Sequence, residues 1–156
     1  MRVTAIAACA ALAVLASASG SGSTILTPAP DSLELELVLP GRLQTGQPVS
    51  IMLQVRNRTT RALDLYLRGR VPTFDVVIAR RGGDVVWRRL EDEIVPAILQ
   101  LRTLGPSERL ELETVWDQRT TLGKPAEPGE YTARGLLLVE GDPLETPAVP
   151  FRIVDR

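Results

Sequence analysis

The sequence predicts an all-β protein, an antiparallel β-sandwich of about eight or nine short strands. Three observations support this fold class. Apolar residues alternate with polar ones in segment after segment, which is the pattern of half-buried strands. Turn residues, mainly Gly, Pro and Asn, separate these segments at regular spacing. No segment carries a helical period longer than one turn.

The first three strands follow directly from this alternation. Leucine occupies every second position of residues 33–39, and a Pro-Gly pair ends the run. Residues 49–56 repeat the pattern, and Asn57 then begins a turn that we expect it to cap through its side chain. The third strand, residues 63–68, again alternates leucine with polar neighbours.

The centre of the fold is predicted to be a hairpin in residues 73–90. Two arms rich in Val, Ile, Phe and Trp flank a Gly-Gly pair at 82–83, which is a strong hairpin signal. A two-residue turn there pairs Ile78 with Trp87 and Ala79 with Val86. A type I turn with a bulge at the second glycine is also compatible with the sequence. The face predicted to form the core centre consists of Phe74, Val76, Ile78, Val85 and Trp87, and the mixed face of Asp75, Val77, Ala79, Val86 and Arg88.

The second half of the chain continues with the same signals. Residues 97–103 alternate less cleanly, with Leu99 and Leu101 as the inward candidates. The remaining strands are predicted at residues 110–116, 131–140 and 149–153. The middle one of these three is apolar on both faces, which indicates a central strand.

A tyrosine corner points to an immunoglobulin-like sandwich. Gly129 and Tyr131 lie at the start of a late strand, directly after a proline. We expect the Tyr131 hydroxyl to satisfy a backbone group where the chain crosses between sheets. Trp87 and Trp116 are expected to be core anchors rather than a ligand-binding pair.

The N-terminus has the features of an export signal. Residues 1–18 combine a basic start, a short apolar stretch and a final Ala-x-Ala motif. Cys9 lies in a segment that resembles a lipoprotein box, but few residues precede it and the apolar run continues beyond it. A lipoprotein and a retained anchor are therefore the alternatives to cleavage and export to the periplasm or medium. The predicted organisation is a signal peptide (1–18), a flexible linker (19–31) and a folded domain (32–156).

Composition argues against several classes of function. The formal net charge of −1 provides no basic field for nucleic acid or anionic lipid. Histidine is absent and the single cysteine lies in the predicted leader. These absences remove Cys or His metal sites and Ser-His or Cys-His nucleophile pairs from the predicted domain. We therefore expect no catalytic residue, no cofactor and no metal site.

With Cys and His excluded, carboxylates are the remaining side chains that could form an enzyme active site or a calcium site. Residues 91–93 are three adjacent acids, and Asp117 and Glu130 flank the longest loop. Glycoside hydrolysis needs two carboxyl groups fixed across a cleft, whereas adjacent acids on a loop usually form a solvated surface. The spacing of a calcium-binding loop is missing.

A series of short motifs, taken in order, resembles the BsuPI family of intracellular proteinase inhibitor domains. The motifs are Asn57, Phe74-Asp75-Val76-Val77, Gly83-Asp84-Val85-Val86-Trp87, Leu104-Gly105-Pro106-Ser107-Glu108, Trp116 and Pro128-Gly129-Glu130-Tyr131-Thr132. After the first Trp the family usually has an aromatic residue, where this chain has Ile94-Val95. The resemblance implies an immunoglobulin-like domain that binds a serine proteinase and blocks it. Its positions Asn57, Phe74, Trp87, Trp116, Gly129 and Tyr131 are expected to be structural.

An inhibitor needs a surface loop held out by a rigid body and already ordered in an extended form. Residues 117–130, here called the 117–130 loop, are the first candidate, because Arg119, Leu122 or Lys124 could fill a specificity pocket. The other interpretation of this loop is a solvated connector. Residues 91–96, here called the 91–96 segment, are the second candidate, and the sequence does not choose between them.

Two functions remain open from the sequence. The first is an exported, non-catalytic domain that binds a protein and inhibits a serine proteinase. The second is an envelope interaction module that keeps the inhibitor-like fold and has no inhibitory activity. The target and the oligomeric state are not specified by the sequence.

Overall fold

The computed structural model describes residues 31–155, and these form eleven β-strands. The predicted signal peptide, Cys9 and nearly all of the predicted linker lie outside the described residues. The strands are β1 (Leu33–Val38), β2 (Arg42–Gln44), β3 (Val49–Asn57), β4 (Leu63–Arg68), β5 (Phe74–Arg80), β6 (Val85–Arg88), β7 (Leu99–Leu104), β8 (Arg109–Trp116), β9 (Gly129–Leu137), β10 (Leu144–Glu145) and β11 (Val149–Val154). The predicted antiparallel β-sandwich is confirmed. The short β2 and β10 are the strands that alternation did not predict.

The strands form two larger sheets and one small one. The first sheet has the order β1-β3-β8, and the second has the order β2-β11-β9-β5-β6 with β10 paired to β9. Pairing is antiparallel except between β2 and β11. The small sheet β4-β7 joins the chain just beyond β9 through a bridge between Leu67 and Val139. The prediction that residues 131–140 form a central strand is confirmed, because β9 lies inside its sheet.

The core lies between the two larger sheets and follows the predicted alternation. In β3, Ile51, Leu53 and Val55 are completely buried, and the residues between them are half-buried. Gly135 of β9 shows how closely the sheets approach. A Cβ there would lie 3.0 Å from a methyl carbon of Leu37 and 3.1 Å from one of Leu53, which leaves little space for a side chain.

The central hairpin differs from its predicted register between Ile78 and the turn. Ile78 pairs with Trp87 as predicted, but Ala79 pairs with Val85, so Val86 is an extra residue in β6. The turn holds residues 81–83, because the N–H of Gly83 donates to the Arg80 oxygen and the N–H of Arg80 donates to the Asp84 oxygen, both at 2.9 Å. With Gly83 at a φ of 103°, this agrees with the alternative of a bulge at the second glycine rather than with a two-residue turn. The further bulge in β6 lies at Val86. It turns Val85 out of the predicted core face, where it is 58% exposed, and Trp87 on the edge strand is half-buried. The placement of Val85 was therefore wrong, whereas Trp87 lies on the predicted face and packs against the core at its edge rather than at its centre.

The orientation predicted for β7 was also wrong. Leu99 and Leu101 are exposed, because they pair with Arg68 and Tyr66 on the outer face of the small sheet. The inward-facing residues include Leu104, which is completely buried. Alternation defines the two faces of a strand, but only the pairing with β4 decides which of them is covered.

Candidate functional site

The 117–130 loop connects β8 to β9, and core aromatic residues hold both of its ends. Trp116 is completely buried, and its indole Nε1–H donates a hydrogen bond to the backbone oxygen of Arg119 at 2.8 Å. At the other end, the hydroxyl of buried Tyr131 donates to the backbone oxygen of Glu127 at 2.6 Å. The second bond is the one a tyrosine corner makes. Gly129, with a φ of 156°, begins β9 next to this corner.

The two anchors belong to one row of packed rings. Trp116 lies 5.9 Å from the half-buried Trp87 and 6.2 Å from Phe151 between ring centroids. Phe151 in turn stacks on Tyr131 at 5.5 Å. Such pairs add to the stability that burial alone provides. The predicted pair of Trp residues is therefore packed against the core, with Trp116 as its fully buried member.

Gln118 fixes the base of the 117–130 loop to a distant turn. It is buried, and its backbone φ is 57°, in the left-handed region. Its Nε2 donates to the backbone oxygens of Gln44 and Gln47, and its Oε1 accepts from the N–H of Gly46. Sequence reasoning missed this residue, because its partners lie more than 70 positions away.

The outer part of the 117–130 loop is a small hairpin and not the extended loop expected of an inhibitor. Arg119 and Pro125 form a bridge between its arms. At the tip, the N–H of Gly123 donates to the oxygen of Thr120 at 2.8 Å, and the N–H of Thr120 donates to the oxygen of Lys124 at 2.8 Å. The N–H of Thr121 donates to Val86 of β6. Most of the tip backbone is therefore already hydrogen-bonded.

The three side chains predicted as contacts in this loop have different environments. The Arg119 guanidinium donates to the Gly123 oxygen at 2.9 Å and lies 3.6 Å from the Asp117 carboxylate, so it is engaged within the loop. Leu122 is 83% exposed at the tip. Lys124 is exposed and has no ion-pair partner among residues 31–155. Leu122 and Lys124 are the two that face outward without a side-chain partner in the described chain.

The 91–96 segment, between β6 and β7, has a different backbone. From Glu93 to Pro96 the chain makes neither a turn nor a bend. Within the described residues, no backbone hydrogen bond involves Ile94, Val95 or Pro96. Ile94 is 96% exposed, whereas Val95 is half-buried and lines a groove of about 330 Å³ with Leu136 and Leu138. Consecutive side chains thus point in opposite directions, as in an extended strand.

Asp75 anchors the start of this segment. Its carboxylate is 1% exposed and accepts from Arg88 Nε at 2.5 Å, while the Arg88 side chain is 49% exposed. The same carboxylate accepts from the backbone N–H of Val76 and of Leu90 at 2.9 and 3.0 Å. The hydrogen bond and charge of Asp75 raise the pKa of Arg88, which stays ionised. Alternation placed Asp75 on the mixed face and gave no sign of its burial.

Ile98 anchors the other end of the segment. Its backbone oxygen accepts from the N–H of Gly69 at 2.8 Å, and the Gln100 side chain donates to the Gly69 oxygen at 2.9 Å. The unpaired stretch is thus held between two fixed points.

The two loops border one groove of about 590 Å³ on the outer side of β5 and β6. Its lining includes Val77, Val85, Arg88, Glu91, Leu122 and Lys124. A partner that covered this groove would touch both loops.

Two other predicted positions support the scaffold. Asn57 is completely buried, and its Nδ2 donates to the oxygens of Arg61, Leu104 and Gly105, which joins two turns. Its Oδ1 accepts from the N–H of Thr59, as expected of a turn cap. Phe74 is buried under the guanidinium of Arg89, whose carbon lies 4.6 Å from the ring centroid.

Exposed ion pairs lie at the end of the 117–130 loop. Arg81 donates a hydrogen bond to Glu130, and this bond together with the Arg81 charge lowers the Glu130 pKa. Arg80 donates to Glu127 at 2.6 Å, and that bond is the main cause of the raised Arg80 pKa. Both carboxylates therefore serve the loop's attachment to the hairpin.

The described residues contain no group of three His, Cys, Asp or Glu side chains placed to hold a metal ion. Between residues 31 and 155 there is also no helix with the length and apolarity needed to cross a bilayer.

A family model described as "BsuPI: Intracellular proteinase inhibitor" matches residues 41–141. The matched residues include both candidate loops. No curated protein matches the chain.

Several solved structures are similar to this chain at low sequence identity and with TM-scores below 0.5. The alkylpurine DNA glycosylase AlkC of Pseudomonas fluorescens is 14% identical, with a TM-score of 0.45 over 78% of this chain and 30% of that one. A β-glucosidase from Listeria innocua is 15% identical, with a TM-score of 0.41 over 78% of this chain and 16% of that one. A CARDB domain from Pyrococcus furiosus is 16% identical, with a TM-score of 0.43 over 80% of this chain and 94% of that domain. The chain thus spans less than a third of the first two proteins.

Proposed function

This chain belongs to the BsuPI family of intracellular proteinase inhibitors, and we propose that it binds a serine proteinase through surface loops and inhibits it. The carrying observation is the family match, which extends over residues 41–141. An inhibitor acts by occupying its target, so this function needs binding surfaces and no catalytic group. The two loops beside the common groove are the surfaces that we assign to it.

The fold supports such a role because it holds both loops on a rigid body. The aromatic row anchors the 117–130 loop, and the buried Asp75 anchors the 91–96 segment. A binding loop that is already ordered loses less conformational entropy when it meets its partner. The inhibitor is proposed to act after export, and this location rests on the leader-like sequence of residues 1–18 alone.

A panel of serine proteinases tests the proposal. The protein is titrated against chymotrypsin, elastase, subtilisin and trypsin, and residual hydrolysis of a small substrate is measured. The proposed function predicts stoichiometric loss of activity for at least one of them. Digestion of the protein, or unchanged activity across the panel, would contradict it.

The second candidate is an envelope interaction module with the inhibitor fold and no inhibitory activity. The leader-like N-terminus favours it, because the family is described as intracellular. In this case the panel finds no inhibition, while a defined envelope protein co-purifies with the domain and binds it again after purification. Inhibition by the purified protein would eliminate this candidate.

A further inference from the structure

The geometry points to the 91–96 segment as the part that enters the proteinase cleft, with Ile94 in an apolar primary specificity pocket. This inference rests on the proposed function and assigns its contact. It assigns the main contact with the proteinase to the 91–96 segment rather than to the 117–130 loop.

The Ile94 side chain is almost fully exposed to solvent. A large aliphatic side chain that is 96% exposed adds almost nothing to the stability of its own domain. Seated in a partner's pocket, the same side chain would lose nearly all of its contact with water. Interface residues that dominate affinity are anchors of this kind, buried in pockets at the centre of the contact.

The backbone at and beside Ile94 is free to pair with a partner strand. A chain bound in a proteinase cleft pairs as an added strand, and its own N–H and C=O groups supply the hydrogen bonds. Those groups are unpaired at Ile94 and Val95 within the described residues. Pro96 also restricts Val95 to extended conformations, which is the shape the cleft requires. By contrast, most backbone N–H groups at the tip of the 117–130 loop already donate hydrogen bonds within the loop or to Val86 of β6.

The 91–96 segment is held in place by hydrogen bonds on both sides. Leu90 is fixed by the Asp75 carboxylate, and Ile98 is fixed by the N–H of Gly69. Val95 packs into the groove beside Leu136, so that Ile94 is directed away from the body. The segment is thus fixed at both ends, and its outer face remains exposed. Because the segment is already ordered, it loses less conformational entropy on binding.

The pocket that fits Ile94 is apolar and not the acidic pocket of trypsin-like enzymes. Glu91, Asp92 and Glu93 precede Ile94 and are all exposed. A proteinase with neutral or basic residues beside its cleft would therefore be favoured over one with an acidic rim.

The test compares matched substitutions in the two loops of the full chain. Ile94→Asp and Leu122→Asp each place a carboxylate on a highly exposed apolar position, so both variants are expected to fold, which circular dichroism and urea unfolding check. Against a proteinase with an apolar pocket, Ile94→Asp should raise the inhibition constant about a hundredfold, and Leu122→Asp by about threefold or less. Ile94→Arg should acquire inhibition of trypsin.

Three results separate the possible failures. If the unmodified chain inhibits but Ile94→Asp inhibits equally well, the inference is wrong and the proposed function stands. Loss of trypsin inhibition in Lys124→Ala, with Ile94→Asp unaffected, would assign the contact to the 117–130 loop instead. If the unmodified chain inhibits none of the panel, the proposed function fails and this inference fails with it.

Discussion

The 91–96 segment and the 117–130 loop border the same groove, but they use their backbones in opposite ways. The 117–130 loop closes on itself through a bridge and a tight turn, and it is rooted in the core at Trp116, Gln118 and Tyr131. The 91–96 segment is fixed only at its ends and leaves its middle unpaired within the described chain. Length and prolines in a sequence therefore do not identify a binding loop. What matters is whether its hydrogen-bonding groups are free for a partner.

The largest expected effect on stability comes from removing the core side chain that anchors the 117–130 loop. Trp116→Ala should lower the free energy of unfolding by about 3–5 kcal/mol, because it empties a large core volume and leaves the Arg119 oxygen without its donor. Urea unfolding followed by far-ultraviolet circular dichroism measures this. Ile94→Ala is the control and should be close to neutral. A similar loss of unfolding free energy in both variants would mean that the two loops do not differ in how they are anchored to the core.

The next effect concerns the anchor of the 91–96 segment. Asp75→Ala should cost about 2–4 kcal/mol, because two backbone N–H groups lose a buried acceptor and Arg88 loses its partner. Half-exposure of Arg88 keeps the cost at the lower end, since water can solvate its charge. Hydrogen exchange should also accelerate at the Leu90 amide. An unchanged rate there would show that Asp75 does not hold the segment.

A smaller effect is expected at the tyrosine corner. Tyr131→Phe keeps the ring stacked on Phe151 and removes only the hydrogen bond to the Glu127 oxygen. The expected loss of stability is about 1 kcal/mol. Limited proteolysis should also cut the 117–130 loop faster. Equal stability and equal cutting rates would mean that the hydroxyl contributes nothing to the loop.

The smallest effect is that of pH on the exposed Glu130. Because Arg81 lowers the pKa of Glu130 in the folded chain, the ionised carboxylate stabilises the fold above its unfolded pKa. This contribution is lost as the pH falls through the lowered pKa of the folded chain. Glu130→Gln should therefore melt slightly earlier than the unmodified chain at pH 7 and equally at strongly acid pH. A difference that persists in acid would point to another cause.

The sequence was sufficient to predict the strands in which apolar and polar residues alternate strictly. In β3 and β8 the apolar positions face the core as predicted, because a half-buried strand needs just that pattern. The pairing of Ile78 with Trp87 and the Tyr131 hydrogen bond also followed from local motifs.

What the sequence could not provide depends on contacts between distant segments. The burial of Asp75 depends on residues 88–90, which continue alongside β5 and place the Arg88 side chain and the Leu90 N–H on its carboxylate. The alternation of apolar and polar residues within β5 gives no information about such a contact. The outward position of Leu99 and Leu101 results from the pairing of β7 with β4. The contrast between the two candidate loops became visible only when the destinations of their backbone hydrogen bonds were known.

Amide hydrogen exchange tests the central claim most directly. It is measured on the free chain and on its complex with a serine proteinase that the chain inhibits. In the free chain, the amides of Ile94 and Val95 should exchange fast, and those of Thr120, Gly123 and Ala126 slowly, because only the latter donate hydrogen bonds. In the complex, strong protection should appear at Val95 and leave the tip of the 117–130 loop almost unchanged. Protection that appears at the tip and leaves Val95 fast would contradict the account.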